Sequence, residues 1–197
     1  MKSRTSKPPA TKHKSQPRGR ALPENHLRCV YSEKQIQKRV AQLAKRIERD
    51  YKGKTLHVVG ILEDCFIFMA DLVRRLTIPV VCHFLKAEIR DISVGPVALR
   101  EIMYSPRVEA AGRDVLLVNV ILQSGVTLDH LFGYVQGQNP NSVRTASLIE
   151  KSGERKVDVS TDYVGFRSSE KYLVGYGLSY QEKYRNLPFV ARLVRAR

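Results

Sequence analysis

The sequence predicts an α/β domain: an open, mostly parallel sheet flanked by helices. Three observations carry this expectation. Apolar runs rich in β-branched residues, Thr55–Leu62, Pro79–Leu85 and Val115–Ile121, have strand length, and the last lacks polar alternation, as a strand buried on both faces of a parallel sheet would. Segments with apolar residues at helical spacing lie before, between and after them. Strand and helix signals alternate, and parallel neighbours need such crossovers.

Ser32 opens the first helix, with Gln35 placed to complete a capping box. Ile36, Val40, Leu43, Ile47 and Tyr51 then form one apolar stripe, and Lys52-Gly53-Lys54 ends it. The first strand, Thr55–Leu62, leads through Glu63-Asp64-Cys65 into a second helix from Phe66 to about Leu76, with Met69, Val73 and Leu76 facing the core. The mixed charges and Gly-Pro pair of Ala87–Val97 predict a mobile surface loop, with a short strand, Val97–Tyr104, on its far side. Ser142–Ile149, Asp162–Phe166 and Tyr172–Val174 read as further strands.

Of the 197 residues, 1–25 read as a disordered basic tail and 26–197 as one domain. Residues 1–20 carry seven Lys or Arg and no acid, so this tail holds nearly half of the +15 formal charge and too little apolar surface to fold. Three uses of it stay open: a solubilising run without a specific partner, a polyanion-binding arm suited to RNA, and an organelle transit peptide. Cys29, Cys65 and Cys82 form no C-x-x-C pair, which argues against a disulfide framework or zinc site and for a reducing, cytoplasmic setting. No apolar run is long enough to span a bilayer, so no membrane partner is expected.

The stretch Asp114–Leu131 organises the chain. After the central strand, Gln123-Ser124-Gly125 breaks the apolar run, and Thr127 is placed to cap a helix carrying Leu128, Leu131, Phe132 and Val135. Backbone N–H groups of Gln123, Ser124, Gly125, Val126 and Thr127 would then converge at a helix N-terminus, an anion cradle. An ordinary βα turn would read the same way from this stretch alone.

The cradle, Ser124-Gly125-Val126-Thr127, resembles the phosphoribosyl-diphosphate loop of type I phosphoribosyltransferases. Phe68-Met69-Ala70-Asp71-Leu72, Val174-Gly175-Tyr176-Gly177 and Tyr184-Arg185-Asn186-Leu187-Pro188 are similar to signatures of the hypoxanthine-guanine branch. The resemblance runs from about Tyr31 to Val190 and implies that family's fold, with a small hood over the sheet. It also implies transfer of ribose 5-phosphate from phosphoribosyl diphosphate to a purine with Mg²⁺ assistance. On it, Gln123 to Thr127 hold a phosphate; Lys151, Tyr172 and Leu173 meet the purine; Arg185 stands on the pyrophosphate side.

The departures fall on the chemistry. Where the family carries a Glu-Asp pair for ribose and Mg²⁺, this chain has Asn119-Val120, which offer no carboxylate to a hard cation. Gln123 stands at the general-base position, and an amide takes no proton near neutral pH. Ser179 replaces an Asp, and Glu63-Asp64-Cys65 put two carboxylates in the pyrophosphate loop, where like charge repels the ligand. No resident metal is therefore expected, and Mg²⁺ only if the protein is an active enzyme. The leading expectation is a catalytically degenerate purine nucleotide-binding sensor or interaction module. The alternatives are an active hypoxanthine or guanine phosphoribosyltransferase of purine salvage that uses Glu63 and Asp64, and a structural partner of an active paralogue. The resemblance also implies a homodimer or homotetramer.

Overall fold

In the computed structural model of the protein, residues 27–94, 97–105 and 108–194 are described, with backbone alone for 87–105. The basic tail, and with it the expected RNA arm, lies outside the described residues.

Strand β1 (Leu27–Tyr31) precedes helix α1 (Glu33–Asp50), and the capping box is formed as expected. The Ser32 N–H donates to Gln35 Oε1 at 2.9 Å, and the Gln35 N–H donates to Ser32 Oγ at 3.4 Å. β2 (Leu56–Leu62) and α2 (Phe66–Val73) follow. This helix is shorter than its apolar spacing suggests, because Arg75 and Leu76 donate to carbonyls only three residues back and tighten the chain into a turn.

β3 (Val80–Val94) runs straight through the segment expected as a surface loop and pairs antiparallel with β4 (Val97–Ser105). Ladder bonds come from the backbone, so mixed charge suited a paired strand as well as a loop. β5 (Asp114–Leu122), α3 (Val126–Gln136), β6 (Ser142–Lys151), β7 (Tyr163–Ser168), β8 (Leu173–Val174) and β9 (Val190–Leu193) complete the fold.

The main sheet has the order β4-β3-β2-β5-β6-β7; every pairing in it is parallel except β3 with β4. Strand β5 builds a core on each face. Leu116, Val118 and Val120 pack with α1 and α2, whereas Val115 and Leu117 pack with the apolar stripe Leu128, Leu131 and Val135 of α3. This two-sided burial explains the unbroken apolar run. A separate antiparallel sheet, β1-β9-β8, forms the hood from both ends of the described chain. Neither β1 nor β9 was anticipated: each is short, and each is defined by its partner across the fold rather than by its own pattern.

Because β2 is flanked by β3 on one side and β5 on the other, the connections diverge at the carboxyl ends of β2 and β5. In an open α/β sheet that divergence leaves a crevice. The loops Glu63–Cys65 and Gln123–Gly125 border it.

Candidate active site

Two adjoining cavities occupy this crevice. The first, about 260 Å³, is lined by Asn119, Val120, Gln123, Ser124, Gly125 and Thr127 together with Leu62 and Asp64. The second, about 490 Å³, gathers Lys151, Glu154, Tyr172, Leu173, Ser179 and Tyr180. Asp64 and Gln123 line both, so they stand where the cavities meet. The expected phosphate and purine residues are thus brought into one continuous cleft. Val126, expected in the cradle, lines neither cavity and is 40% exposed.

The cradle differs from its expected form at the cap. Gly125, not Thr127, holds the N-cap position of α3, in the left-handed region at φ 82°, and Thr127 lies inside the first turn. A polar residue ahead of an apolar stripe looked like the cap, yet only a glycine fits here. A Cβ on Gly125 would stand 2.8 Å from Val159 and 3.0 Å from Val157. The Val126 N–H also donates to Ser124 Oγ at 3.4 Å, a long bond that a phosphate oxygen could replace at little cost.

The loop after β2 carries the two unexpected carboxylates. Arg185 bonds Asp64 directly, reaches Glu63 Oε2 at 3.2 Å and donates to the Gly177 carbonyl at 2.7 Å. Lys86 adds a 3.9 Å ion pair to Glu63. Glu63 and Arg185 line neither cavity; Arg185, expected on the pyrophosphate side, pairs with both carboxylates of this loop. Gly177, at φ 98°, allows this packing, since a Cβ there would meet the Asp64 carbonyl at 2.0 Å. Cys65 is fully buried, and burial together with the Asp64 charge pushes its thiol up to about 12, so it is no nucleophile.

Asn119, at the position of a family carboxylate, has both amide atoms engaged. Its Nδ2 donates to the Ile121 carbonyl at 3.1 Å, and its Oδ1 accepts from Ser147 Oγ. Val120 is apolar and Gln123 is an amide, leaving Asp64 as the one carboxylate of the first cavity. Among the described residues no three His, Cys, Asp or Glu side chains converge as a cation site. Mg²⁺ is commonly held by one or two carboxylates together with a substrate's phosphates, and of that set the first cavity offers Asp64 alone.

On the purine side, Lys151 is 2% exposed and donates to the Glu170 carbonyl. Glu154 Oε1 lies 3.2 Å from its Nζ. Tyr172, at φ 53°, is 58% exposed. Sequence reasoning did not single out Glu154; the Lys-x-x-Glu spacing was the available signal.

The phosphoribosyl transferase domain family matches residues 29–182, and the chain belongs to the phosphoribosyltransferase family. Within that family its similarity is to the hypoxanthine-guanine branch. The Dictyostelium discoideum hypoxanthine-guanine phosphoribosyltransferase is 38% identical over 168 residues, which cover 83% of this chain and 93% of the relative. A Bacillus anthracis hypoxanthine-guanine phosphoribosyltransferase superposes with TM-score 0.73 at 38% identity, over 84% of this chain and 97% of the other. A Staphylococcus aureus hypoxanthine phosphoribosyltransferase gives TM-score 0.77 at 32% identity, over 86% and 92%. The expected fold is therefore that of the protein. No helix among the described residues is long and apolar enough to cross a membrane.

Proposed function

We propose that the protein binds a purine nucleotide in the cleft between the Gly125 cradle and the Tyr172 ring, without metal-dependent phosphoribosyl transfer, and acts as a sensor or interaction module. The observation that carries the reading is the commitment of Asn119 to Ser147 and the Ile121 carbonyl, at the position where a metal-binding carboxylate would be needed. The cradle asks only for backbone donors and a helix dipole, which remain. The base site asks for a stacking face and a donor, which Tyr172 and Lys151 supply. The names of the relatives support a purine as the base.

Calorimetric titration with IMP, GMP and phosphoribosyl diphosphate, each with and without Mg²⁺, tests this. Saturable IMP or GMP binding that ignores Mg²⁺ is expected, with no turnover of labelled hypoxanthine. Metal-dependent binding of the diphosphate overturns the reading.

A second reading is favoured by Asp64, which lines both cavities beside Gln123. If Arg185 releases it, one carboxylate reaches the reacting region, and the protein is a salvage enzyme like its named relatives. Hypoxanthine turnover that is lost in Asp64→Ala would establish that reading instead.

A further inference from the structure

We propose that a second anion site, outside the cleft, lies beside the segment 155–161 that joins β6 to β7, and that it takes the phosphate group of a small monoester. Glu150, Arg167 and that segment line a cavity of about 650 Å³, and none of these residues lines either cavity of the cleft. Two guanidinium groups converge there on one carboxylate. Arg155 Nη2 donates to Glu150 Oε1 at 2.7 Å, and Arg167 Nε stands 3.6 Å from Glu150 Oε2. The second separation is too long for a hydrogen bond, and the Arg167 side chain is 76% exposed, so its donors are open to a ligand. Arg155 uses an Nη1 donor on the Val159 carbonyl, yet its Nε is buried without a hydrogen-bond partner among the described residues, and so is the Thr161 hydroxyl.

Buried donors without partners are rare, because each forfeits the hydrogen bonds that water gave it. Two of them on residues of one cavity, beside two guanidinium groups, call for an acceptor-rich ligand. Lys156 and Asp158 are exposed and offset each other, which leaves the guanidinium groups opposed by Glu150 alone, a net positive charge. A phosphate matches this arrangement: guanidinium groups bind its oxygens through paired N–H donors, and charge strengthens each bond. The cavity is larger than a phosphate ion fills and falls in the range of small-molecule sites, so the phosphate arrives on a small organic group. Glu150 tunes the affinity, since it competes with the ligand for both arginines. The lining segment also braces the cradle of the cleft. The Lys156 N–H donates to the Ser124 carbonyl at 2.9 Å, and Val157 and Val159 flank Gly125. The two sites therefore share a supporting segment but no lining residue.

The test is calorimetric titration of the full chain with glycerol 3-phosphate and with inorganic phosphate, in chloride buffer of constant ionic strength. The ester should bind saturably, with a Kd of about 1 mM or tighter. Arg167→Gln should weaken it about tenfold, as loss of one charge-assisted contact implies. Glu150→Gln should tighten it about threefold by removing the competing carboxylate. Because the two effects have opposite signs, a loosened fold cannot mimic both, and thermal unfolding checks that each variant is folded. A phosphate held at the Gly125 cradle is blind to both substitutions, since neither side chain lines the cleft. Absence of ester binding, an affinity that either substitution leaves unchanged or moves the other way, or a site that takes inorganic phosphate and excludes the ester overturns the proposal.

Discussion

The Tyr176 hydroxyl donates a 2.6 Å hydrogen bond to Asp71 Oδ2, fastening the turn after β8 to helix α2 across 105 positions of sequence. Gln37 reaches the same oxygen at 2.8 Å, and Arg74 pairs with Oδ1. Two of the motifs that carry the family resemblance are therefore halves of one clamp. It positions Gly177 against the loop that holds Asp64.

Replacing Tyr176 with Phe keeps the ring and removes the donor. Asp71 is 8% exposed, so the loss is expected to cost about 1.5–3 kcal/mol, the range for a bond to a charged group. Urea unfolding should show a lower midpoint at unchanged slope.

Acid stability should follow the same clamp. Burial pushes the Asp71 carboxyl up, but hydrogen bonds from Tyr176, Gln37 and Arg74 outweigh it and hold it below its ordinary 3.8. Asp114 is also lowered: burial opposes ionisation, and Ser142 and Lys54 overcome it. A depressed carboxylate contributes its full stability above the unfolded value and loses it as pH falls through the folded one. Midpoints measured from pH 5 downward should decline below about 4, and less steeply in Tyr176→Phe.

Gly125→Ala tests the cradle. The new methyl meets Val157 and Val159 at a φ that disfavours any side chain, a strain of about 1–3 kcal/mol. Because relief would shift the helix tip, affinity for IMP or GMP should drop at least tenfold. Thermal unfolding should show the protein still folded, which separates loss of the site from loss of the fold.

Thiol chemistry offers an independent check on the loop after β2. Cys29 and Cys82 are exposed, whereas Cys65 is buried. A chromogenic disulfide reagent should titrate the two exposed thiols in the native protein and the third only after denaturation. Rapid reaction of all three would mean that this loop opens.

Much of the fold was legible because it rests on local signals. Ser32 and Gln35 announced their capping box, and the run from Val115 to Val120 announced a strand packed on both faces. The strand expected at Val97–Tyr104 is found as β4, but the run of β3 on through Val94 into a hairpin with it, and the hood strands β1 and β9, were not legible, since backbone pairing leaves little trace in side-chain pattern. The site divided in the same way. Its residue types were visible, but the engagements that alter their meaning were not: Arg185 with Glu63 and Asp64, Asn119 with Ser147, Lys151 with Glu154. Each joins positions whose proximity only the fold creates, except the last, where three residues of spacing gave a hint that was passed over.

The hood pairs Leu27 with Leu193, and Arg185 meets Asp64 across 121 positions of sequence. The parallel sheet, by contrast, is complete by Ser168. During synthesis the sheet can therefore assemble while the cleft still lacks its hood and its acidic loop still lacks a counterion. The final segment therefore closes the cleft last, and damage to it would also open the core, since Leu173, Tyr176, Leu178 and Val190 pack there with α1 and α2.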